Sequence, residues 1–408
     1  MAILTRRCAG GLTVGSDRQF RIGFVYGDYP PNLPGRGDGG SDFLRHLAED
    51  LVARGHAVTA FVSAREDRPA PYTAAGVCVE PIVADWTIRG ARRQRAMLRG
   101  VLDEREIDVV HLIYPDPYLR YRTDSYHLPF LLKSIAGRPL VTTLFGFAVT
   151  QAHLVTRAGL LSLFASSDRL VITDANLLGK FQRWFPWWRA KARSGLVGSI
   201  ARGGAWSQQE LNARKVAAGL DPRIRYVGFF GFWTPDKGLE RLLDAIQLLR
   251  SDRDDVAMVL IGGGDRTPEQ RNDYERGIGR RADGKSVIDT GPLQEDKVTN
   301  YMLAMDICAL PFRVNPLGRS SLALALSLGV PTVVTRPSHD AHLLEGSVLL
   351  DSTEPGAIAE AIGGLLDDTD AQRAAGEAAL VAGRHWSWDA IADQYVSIYG
   401  ELARARRG

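Results

Sequence analysis

The chain has 408 residues, which is enough for two or three domains of ordinary size. Apolar residues make up 45% and charged residues 24%, the usage of a globular protein. A net charge of only +3 gives no basis for a nucleic-acid partner, which would require a concentrated basic face. Composition therefore favours an ordinary globular protein that does not bind nucleic acid.

The cysteines and the apolar stretches indicate the compartment. Cys8, Cys78 and Cys308 have the spacing of neither a disulfide framework nor a zinc site, so we expect a reducing, cytoplasmic setting. Residues 1–20 lack a secretory apolar core, and we interpret them as a loose N-terminal extension. The longest apolar stretch, Leu322–Val334, is too short to span a membrane.

The first half of the chain alternates short apolar runs with helical patterns. A strand over Arg21–Tyr26 leads through the glycine-rich loop Gly35–Gly40 into a helix over Ser41–Arg54, which Gly55 ends. Short continuous apolar runs of this kind are typical of buried parallel strands. Further strands are predicted at Val58–Val62, Asp108–Ile113, Leu140–Leu144 and Leu170–Thr173.

The same alternation restarts after about residue 220. Strands are predicted at Tyr226–Phe230, Val256–Ile261, Val287–Thr290, Ile307–Leu310 and Thr332–Thr335, and helices at Gly238–Arg250, Ser320–Leu328 and Pro355–Leu366. Two alternating series predict an α/β protein with two doubly wound, Rossmann-like domains facing a cleft, at residues 21–196 and 222–385, joined by a linker at 197–221. This architecture alone would also suit a dehydrogenase or an epimerase.

The segment after the strand Ile307–Leu310 carries the most informative pattern. A loop ends in Gly318-Arg319-Ser320-Ser321, where a helix begins. The first helical amides are unpaired and lie at the positive end of the helix dipole, which makes them a candidate anion site, and Arg319 adds a forked phosphate donor. The alternative is that the two serines only cap the helix.

Three weaker motifs follow other strands. Lys237 stands just before a helix and could reach a pyrophosphate as a point charge, although a solvated lysine in a turn is the alternative. Gly263, within a triple glycine, would let a ligand approach the backbone, or would simply form a turn. Gly39 and Gly40 open a helix as in a nucleotide-binding turn, but without clean spacing, so a flexible lip over the cleft is the alternative.

These pieces, in this order, resemble the GT-B glycosyltransferases of the large retaining family 4. The resemblance covers nearly everything after the first 20 residues, and it depends on the joint order of the motifs. The matching segments are Leu47–Val58, Asp108–His111, Phe229–Gly231 with Lys237–Gly238, Gly291–Leu293 and Ser387–Trp388.

The chain departs from the family at several positions. The two family glutamates that grip the ribose and touch the transferred sugar are replaced by Leu324 and Pro316. The family arginine before Lys237 falls at Gly231 or Phe232, and a common family histidine falls near Phe145. Gly318–Ser321 resembles a branch whose helix starts with Arg-Ser-Ser, so donor binding should depend more on phosphate contacts.

The resemblance implies a hexosyl-type glycosyltransferase, metal-independent and retaining, that moves a sugar from a UDP- or GDP-linked donor to a small-molecule or glycan acceptor. The second domain would hold the nucleotide sugar, residues 386–408 would cross back to the first domain, and Lys237 and Arg319 would act on the pyrophosphate. No cofactor other than the donor is implied. The donor-binding set is Gly39, Gly40, Lys237, Gly263, Pro292, Leu293, Gly318, Arg319, Ser320 and Ser321.

The first domain would bind the acceptor. We expect Asp28, Tyr29, Tyr114, Asp116 and His127 at that site. A reaction that retains the configuration of the anomeric carbon needs no protein base. A reaction that inverts it would need a base, for which His111, Asp116 and His127 are the candidates. His111 has the better position, and its alternative is a core histidine bonded to the backbone.

Residues Trp184–Trp188 combine aromatic rings with flanking basic residues. The pattern suits weak contact with a membrane surface or a lipid-linked acceptor, and it equally suits a helix end packed against the linker. Two other functions stay open, namely a sugar-nucleotide epimerase of the same fold and a catalytically silent nucleotide-sugar-binding homologue. We expect a monomer or a homodimer.

Overall fold

A computed structural model describes residues 19–29, 39–64, 70–83, 95–114, 133–134, 137–145, 154–201, 204–262 and 271–405. Its strands form two sheets, one of eight strands and one of six. The strands are β1 (Arg21–Val25), β2 (Ala57–Ser63), β3 (Tyr72–Ala74), β4 (Val77–Val83), β5 (Val109–Tyr114), β6 (Leu140–Leu144), β7 (Arg169–Ile172), β8 (Ala192–Ser194), β9 (Arg225–Phe230), β10 (Val256–Ile261), β11 (Val287–Asp289), β12 (Ile307–Leu310), β13 (Thr332–Thr335) and β14 (Val348–Leu350).

Helices alternate with these strands along the chain. They are α1 (Gly39–Ala53), α2 (Arg95–Glu104), α3 (Leu154–Ser166), α4 (Ala175–Trp184), α5 (Leu211–Ala217), α6 (Leu239–Asp252), α7 (Asp273–Gly279), α8 (Glu295–Leu303), α9 (Ser320–Ser327), α10 (Pro355–Asp367), α11 (Thr369–Ala382) and α12 (Trp388–Ala405). Short 3₁₀ segments lie at Pro186–Lys191, Pro235–Lys237, Ala341–Leu344 and Gly383–Trp386.

The first sheet has the order β3-β4-β2-β1-β5-β6-β7-β8, and the second has the order β11-β10-β9-β12-β13-β14. All pairs are parallel except β3 with β4. The predicted α/β class with two doubly wound sheets is therefore confirmed. Because ligands of such sheets bind beyond the carboxyl ends of the strands, these edges are where a site is expected.

The strands form where apolar runs are buried on both faces. Every residue of β5 and of β10 is buried, as expected for central strands of a parallel sheet. In β1, Ile22 pairs with Val58 of β2 on one side and with Val109 of β5 on the other. The edge strands β3, β8 and β14 have only three residues each, and the sequence patterns did not predict them.

The chain crosses from the second core to the first between Trp386 and Trp388. Trp386 packs in the core of the second sheet, whereas Trp388, Tyr395 and Tyr399 pack in the core of the first. The Trp388 indole donates to the Ser199 carbonyl at 2.7 Å, which ties the crossing to the linker. Helix α12 is thus a structural part of the first domain.

His111 lies in the core that α12 covers. Its side chain is 0% exposed, and its two ring nitrogens lie 2.7 Å from the Tyr399 hydroxyl and 2.8 Å from Thr143 Oγ1. Burial lowers the pKa of the imidazole to about 3, so the ring is neutral. This position contradicts the direct catalytic role considered for His111, and it matches a core histidine whose partners are side chains rather than backbone.

The predicted linker lacks strands but contains α5. Lys215 of α5 is 2% exposed, and its ammonium lies 2.8 Å from Asp306 Oδ2 and donates to the Ile224 carbonyl at 2.8 Å. Asp306 in turn accepts from the Tyr226 amide at 2.7 Å. Removing one partner of a buried ion pair lowers the stability of a protein by about 3–5 kcal/mol. This contact therefore fixes the linker on the second domain.

The two domains meet where the loop before α9 approaches β7. A β-carbon on Gly318 would lie 2.4 Å from the Thr173 carbonyl oxygen and 3.7 Å from the Asp174 α-carbon. A second contact joins Arg45 of α1 to Glu295 at the start of α8, at 2.6 Å. Glycine at 318 is therefore required by close approach of the two backbones.

In the part of the chain that the structure describes, no helix combines the length and the apolar character needed to cross a membrane.

We expect the free energy of unfolding to fall as the pH decreases below the ordinary imidazole pKa of 6.5. The unfolded chain takes up a proton in this range and the buried ring does not, so about 2 kcal/mol should be lost between about pH 7.5 and pH 5. Urea unfolding at both pH values measures the loss. His111→Gln should lower stability at both values but flatten the dependence, and equal slopes in the two proteins would show that the ring is solvated.

Gly318→Ala should lower the free energy of unfolding by about 1–3 kcal/mol, because the new methyl group overlaps the Thr173 carbonyl. Gly356→Ala is the matched control, since a β-carbon there meets nothing within 4 Å and the residue lies in α10. The control should be neutral or stabilising by up to about 1 kcal/mol. Equal urea midpoints for Gly318→Ala and the wild type would mean that the two domains are apart in solution.

Candidate functional site

The turn that follows β9 positions Lys237 against the loop that follows β12. The Lys237 ammonium lies 4.6 Å from the centroid of the Phe312 ring, and the Arg313 amide donates to the Asp236 carbonyl at 2.9 Å. Gly238 has a φ of 65°, and a β-carbon there would lie 2.2 Å from the Pro311 carbonyl oxygen. Only glycine fits this turn, so the backbone itself fixes the position of Lys237.

Two cationic side chains face the same space at this edge. Burial first, and then the neighbouring Arg319 guanidinium, lower the pKa of Lys237 to about 8. Asp236, 3.8 Å from the Arg319 guanidinium, offsets part of this charge. The result is a half-buried region of positive charge whose lysine stays mostly protonated at neutral pH and loses its proton as the pH rises through about 8.

Helix α9 begins at this region of positive charge. Its N-cap is Arg319, and no side chain caps the helix, so the alternative in which Ser320 and Ser321 serve only as caps does not describe it. The first amides have no acceptor within the helix. Ser321 is 2% exposed, and within the described chain its hydroxyl has no hydrogen-bond partner. Free amides, an unpaired hydroxyl and two cations together form a site suited to an anion with several oxygens.

The loop after β11 is held by a network that the sequence patterns did not reveal. The Gly291 amide donates to Asp289 Oδ1 at 2.9 Å, and Arg271 lies 3.2 Å from Asp289 Oδ2. The Arg271 guanidinium also lies 4.5 Å from the centroid of the Trp233 ring. Trp233 follows β9 and Asp289 ends β11, so Arg271 joins the lysine turn to the Gly291–Leu293 loop.

The contact between Arg271 and Trp233 could not be predicted from sequence spacing, because it depends on the fold. Trp233 lay within the segment that drew attention to Lys237, but no periodicity marked it as a partner for an arginine. In the structure Trp233 is buried, and its indole nitrogen has no hydrogen-bond partner among the described residues.

The predicted donor residues that the structure describes lie mostly around this one edge. Lys237, Pro292, Leu293 and Gly318–Ser321 follow β9, β11 and β12, whereas Gly39 and Gly40 begin α1 of the first domain. Gly263 lies outside the described residues. The positions of the two family glutamates hold buried Pro316 and buried Leu324, so neither provides a carboxylate.

The predicted acceptor residues that the structure describes lie at the carboxyl ends of β1 and β5 in the first sheet. Asp28, Tyr29 and Tyr114 are buried there, and Asp28 accepts from the Tyr29 amide at 2.9 Å. The Tyr72 hydroxyl donates to the Tyr29 carbonyl, which joins this group to β3. Asp116 and His127 lie outside the described residues.

Two cavities of about 380 and 410 Å³ lie elsewhere between the domains. They are lined by residues around the linker, α1, α8 and the crossing into α12, and they share none with the predicted donor set. Among the described residues, no group of three or more His, Cys, Asp or Glu side chains could hold a metal ion.

Comparison with known proteins gives a family for the second domain. Residues 221–368 match the family model described as "Glycosyl transferases group 1". The D-inositol 3-phosphate glycosyltransferase of Corynebacterium efficiens is 31% identical over 206 residues, which are 48% of this chain and 47% of that protein. A GDP-mannose-dependent alpha-(1-6)-phosphatidylinositol monomannoside mannosyltransferase of Mycolicibacterium smegmatis is 29% identical over 165 residues, 38% of this chain and 41% of that protein. The matched segments thus span about half the length of these curated relatives.

Solved structures extend the likeness to the whole chain. Sucrose-phosphate synthase from Thermosynechococcus elongatus has a TM-score of 0.72 at 16% identity, covering 95% of this chain and 100% of that one. Anabaena Alr3699/HepE, solved in complex with UDP and glucose, has a TM-score of 0.68 at 17% identity, covering 94% of this chain and 100% of that one. At these identities the two matches show the fold, and none of the proteins named here is an epimerase. Residues 221–368 therefore match the model of group 1 glycosyltransferases, within a chain that has the GT-B fold.

Proposed function

We propose that this chain is a retaining, metal-independent glycosyltransferase of the family-4 type, which moves a hexosyl group from a UDP- or GDP-linked sugar to a hydroxyl of a small-molecule or glycan acceptor. The observation that carries the proposal is the pairing of Lys237 with Arg319 at the uncapped start of α9. Two half-buried cations held close together favour binding of an anion, and a pyrophosphate carries the matching charge.

In the proposed reaction the bond between the anomeric carbon and the donor phosphate oxygen breaks, and its electron pair stays on that oxygen. Lys237, Arg319 and the amides of Ser320 and Ser321 neutralise the developing charge, which is the kind of preorganised electrostatic contribution that usually dominates catalysis. The acceptor oxygen bonds to the anomeric carbon on the face that the phosphate leaves. Its proton passes to the leaving phosphate oxygen, so no protein base is required.

The nucleotide base would lie against Pro292 and Leu293, on the loop that Asp289 and Arg271 hold. The acceptor would lie across the cleft near Asp28, Tyr29 and Tyr114, with Asp116 and His127 as further candidates. We also propose a cytoplasmic reaction, which the buried free thiol of Cys308 supports. Pro316 and Leu324 stand at the positions of the two family glutamates, so an epimerase would lack an acid–base pair of carboxylates at those positions.

The first test is a thermal-shift titration of the full chain with UDP, GDP, dTDP and ADP. A nucleotide at a hundred times its dissociation constant should add about 2.7 kcal/mol of stability. Lys237→Ala and Arg319→Ala should each lose the shift, whereas Lys285→Ala, which removes an exposed charge from the same domain, should retain it. Absence of a shift with all four nucleotides would reject donor binding, and binding without donor hydrolysis or transfer would favour the silent homologue.

The affinity for the selected nucleotide diphosphate should fall as the pH rises through about 8, because the ammonium of Lys237 then loses its charge. Calorimetric titration across this range should show up to about a tenfold loss per pH unit above the pKa. Lys237→Ala should abolish the dependence, and a wild-type affinity independent of pH would show that Lys237 does not contact the anion.

Arg271→Ala should weaken binding of the preferred nucleotide and narrow its advantage over the other three, because the loop that would flank the base loses its anchor. Arg271→Lys keeps the charge but not the forked geometry, and it should give an intermediate result. A similar loss for inorganic pyrophosphate would mean that Arg271 acts on the phosphate site or on overall stability instead.

A further inference from the structure

The end of α4 and the 3₁₀ segment after it carry an unusual charge pattern. Residues 180–193 contain five basic side chains and no acidic one. The five are Lys180, Arg183, Arg189, Lys191 and Arg193. The whole chain has a net charge of only +3, so this short stretch is a local concentration of positive charge.

The aromatic residues of the same stretch divide into two groups. Phe185 and Trp188 pack against the core of the first domain, with their rings stacked at 5.8 Å, and Phe185 also contacts Phe164 at 5.4 Å. Trp187 lies at the outer edge of this cluster, with its ring centroid 6.0 Å from that of Phe185 and 6.1 Å from that of Trp188, and it is 68% exposed. The packed rings therefore hold a turn from which one large aromatic side chain extends into solvent. The segment is thus neither a fully packed helix end nor a wholly exposed patch.

The basic side chains around Trp187 differ in whether they have partners within the described structure. Arg183 and Arg189 are exposed and have no ion pair within the described part of the chain. By contrast, Arg193 lies 3.6 Å from Glu401, and the Lys191 ammonium donates to the Ala165 carbonyl at 3.0 Å. Exposed cations without partners on both sides of a projecting tryptophan indicate a partner that is anionic and extended.

We propose that the basic aromatic patch formed by Lys180, Arg183, Trp187 and Arg189 docks the protein on the surface of an anionic lipid bilayer. Tryptophan is enriched where bilayer and water meet, since its ring is apolar and its indole N–H is polar. Basic side chains next to it are attracted to anionic headgroups. A protein partner would need a groove or an apolar stripe to receive its side chains, whereas a bilayer accepts a single projecting ring.

The fold places this patch at the opposite end of α4 from the interdomain contact. Helix α4 begins next to Asp174, which faces Gly318 of the second domain, and ends at the patch. Its ten residues span about 15 Å, so a docked protein would hold the interdomain contact at about that distance from the patch. The proposal concerns attachment alone, and it does not depend on the reaction proposed above.

The test is co-flotation of the full chain with vesicles of phosphatidylcholine alone and of phosphatidylcholine with phosphatidylglycerol. Binding is expected only to the anionic vesicles and should weaken as salt is raised. The double variant Arg183→Gln with Arg189→Gln should weaken binding about 25-fold, at about fivefold per charge. Trp187→Ala should weaken it roughly tenfold through the lost apolar contact.

The matched control removes the same charge from the second domain. Arg280→Gln with Lys285→Gln, both exposed, should leave vesicle binding unchanged. If the control variant lost as much vesicle binding as the patch variant, binding would depend on net charge alone, and the proposed role of the patch would be wrong. Equal binding to both vesicle types, or no vesicle binding together with heparin binding that requires Arg183 and Arg189, would also overturn the lipid proposal. Unchanged circular dichroism melting of each variant excludes unfolding as the cause.

Discussion

Two like charges held together are the constraint on which the candidate site depends. The Lys237 ammonium and the Arg319 guanidinium share a half-buried region, and the lowered pKa of the lysine records how poorly water compensates them. The backbone next to Lys237 is fixed by a close contact, since Gly238 lies against the Pro311 carbonyl. The cost of bringing them together is met during folding by the surrounding core. An arriving polyanion would then find its binding groups already oriented, without reorganisation.

The arrangement of the two domains makes that site a cleft. Three contacts far apart in sequence fix the relation between them, namely Gly318 against Thr173, Arg45 with Glu295, and the passage of the chain from Trp386 to Trp388. Only the last is a large apolar contact. A backbone approach and one partly exposed ion pair are weak by comparison, so the side of the cleft near α9 is where the domains would part most easily.

The sequence was informative about strands and about the loops that follow them, because a buried parallel strand needs a continuous apolar run wherever it lies. It was uninformative about contacts that only the fold creates. His111 was considered for catalysis from its place near a strand end, yet helix α12, almost 300 residues later, covers it with Tyr399. The stacking of Arg271 on Trp233 likewise depends on the order of β9, β10 and β11 in the sheet. Three-residue edge strands such as β8 and β14 are too short to show a periodicity.

The contribution of α12 to the first core has a consequence for folding during synthesis on the ribosome. The sheet of the first domain is translated before the second domain, but the helix that covers Phe24, His111 and Phe43 is translated after it. Until then, one face of a translated sheet would be left open to solvent while the whole second domain is made and folds. Contacts of such long sequence separation are slow to form, and exposed apolar surface of this kind attracts aggregation partners and chaperones.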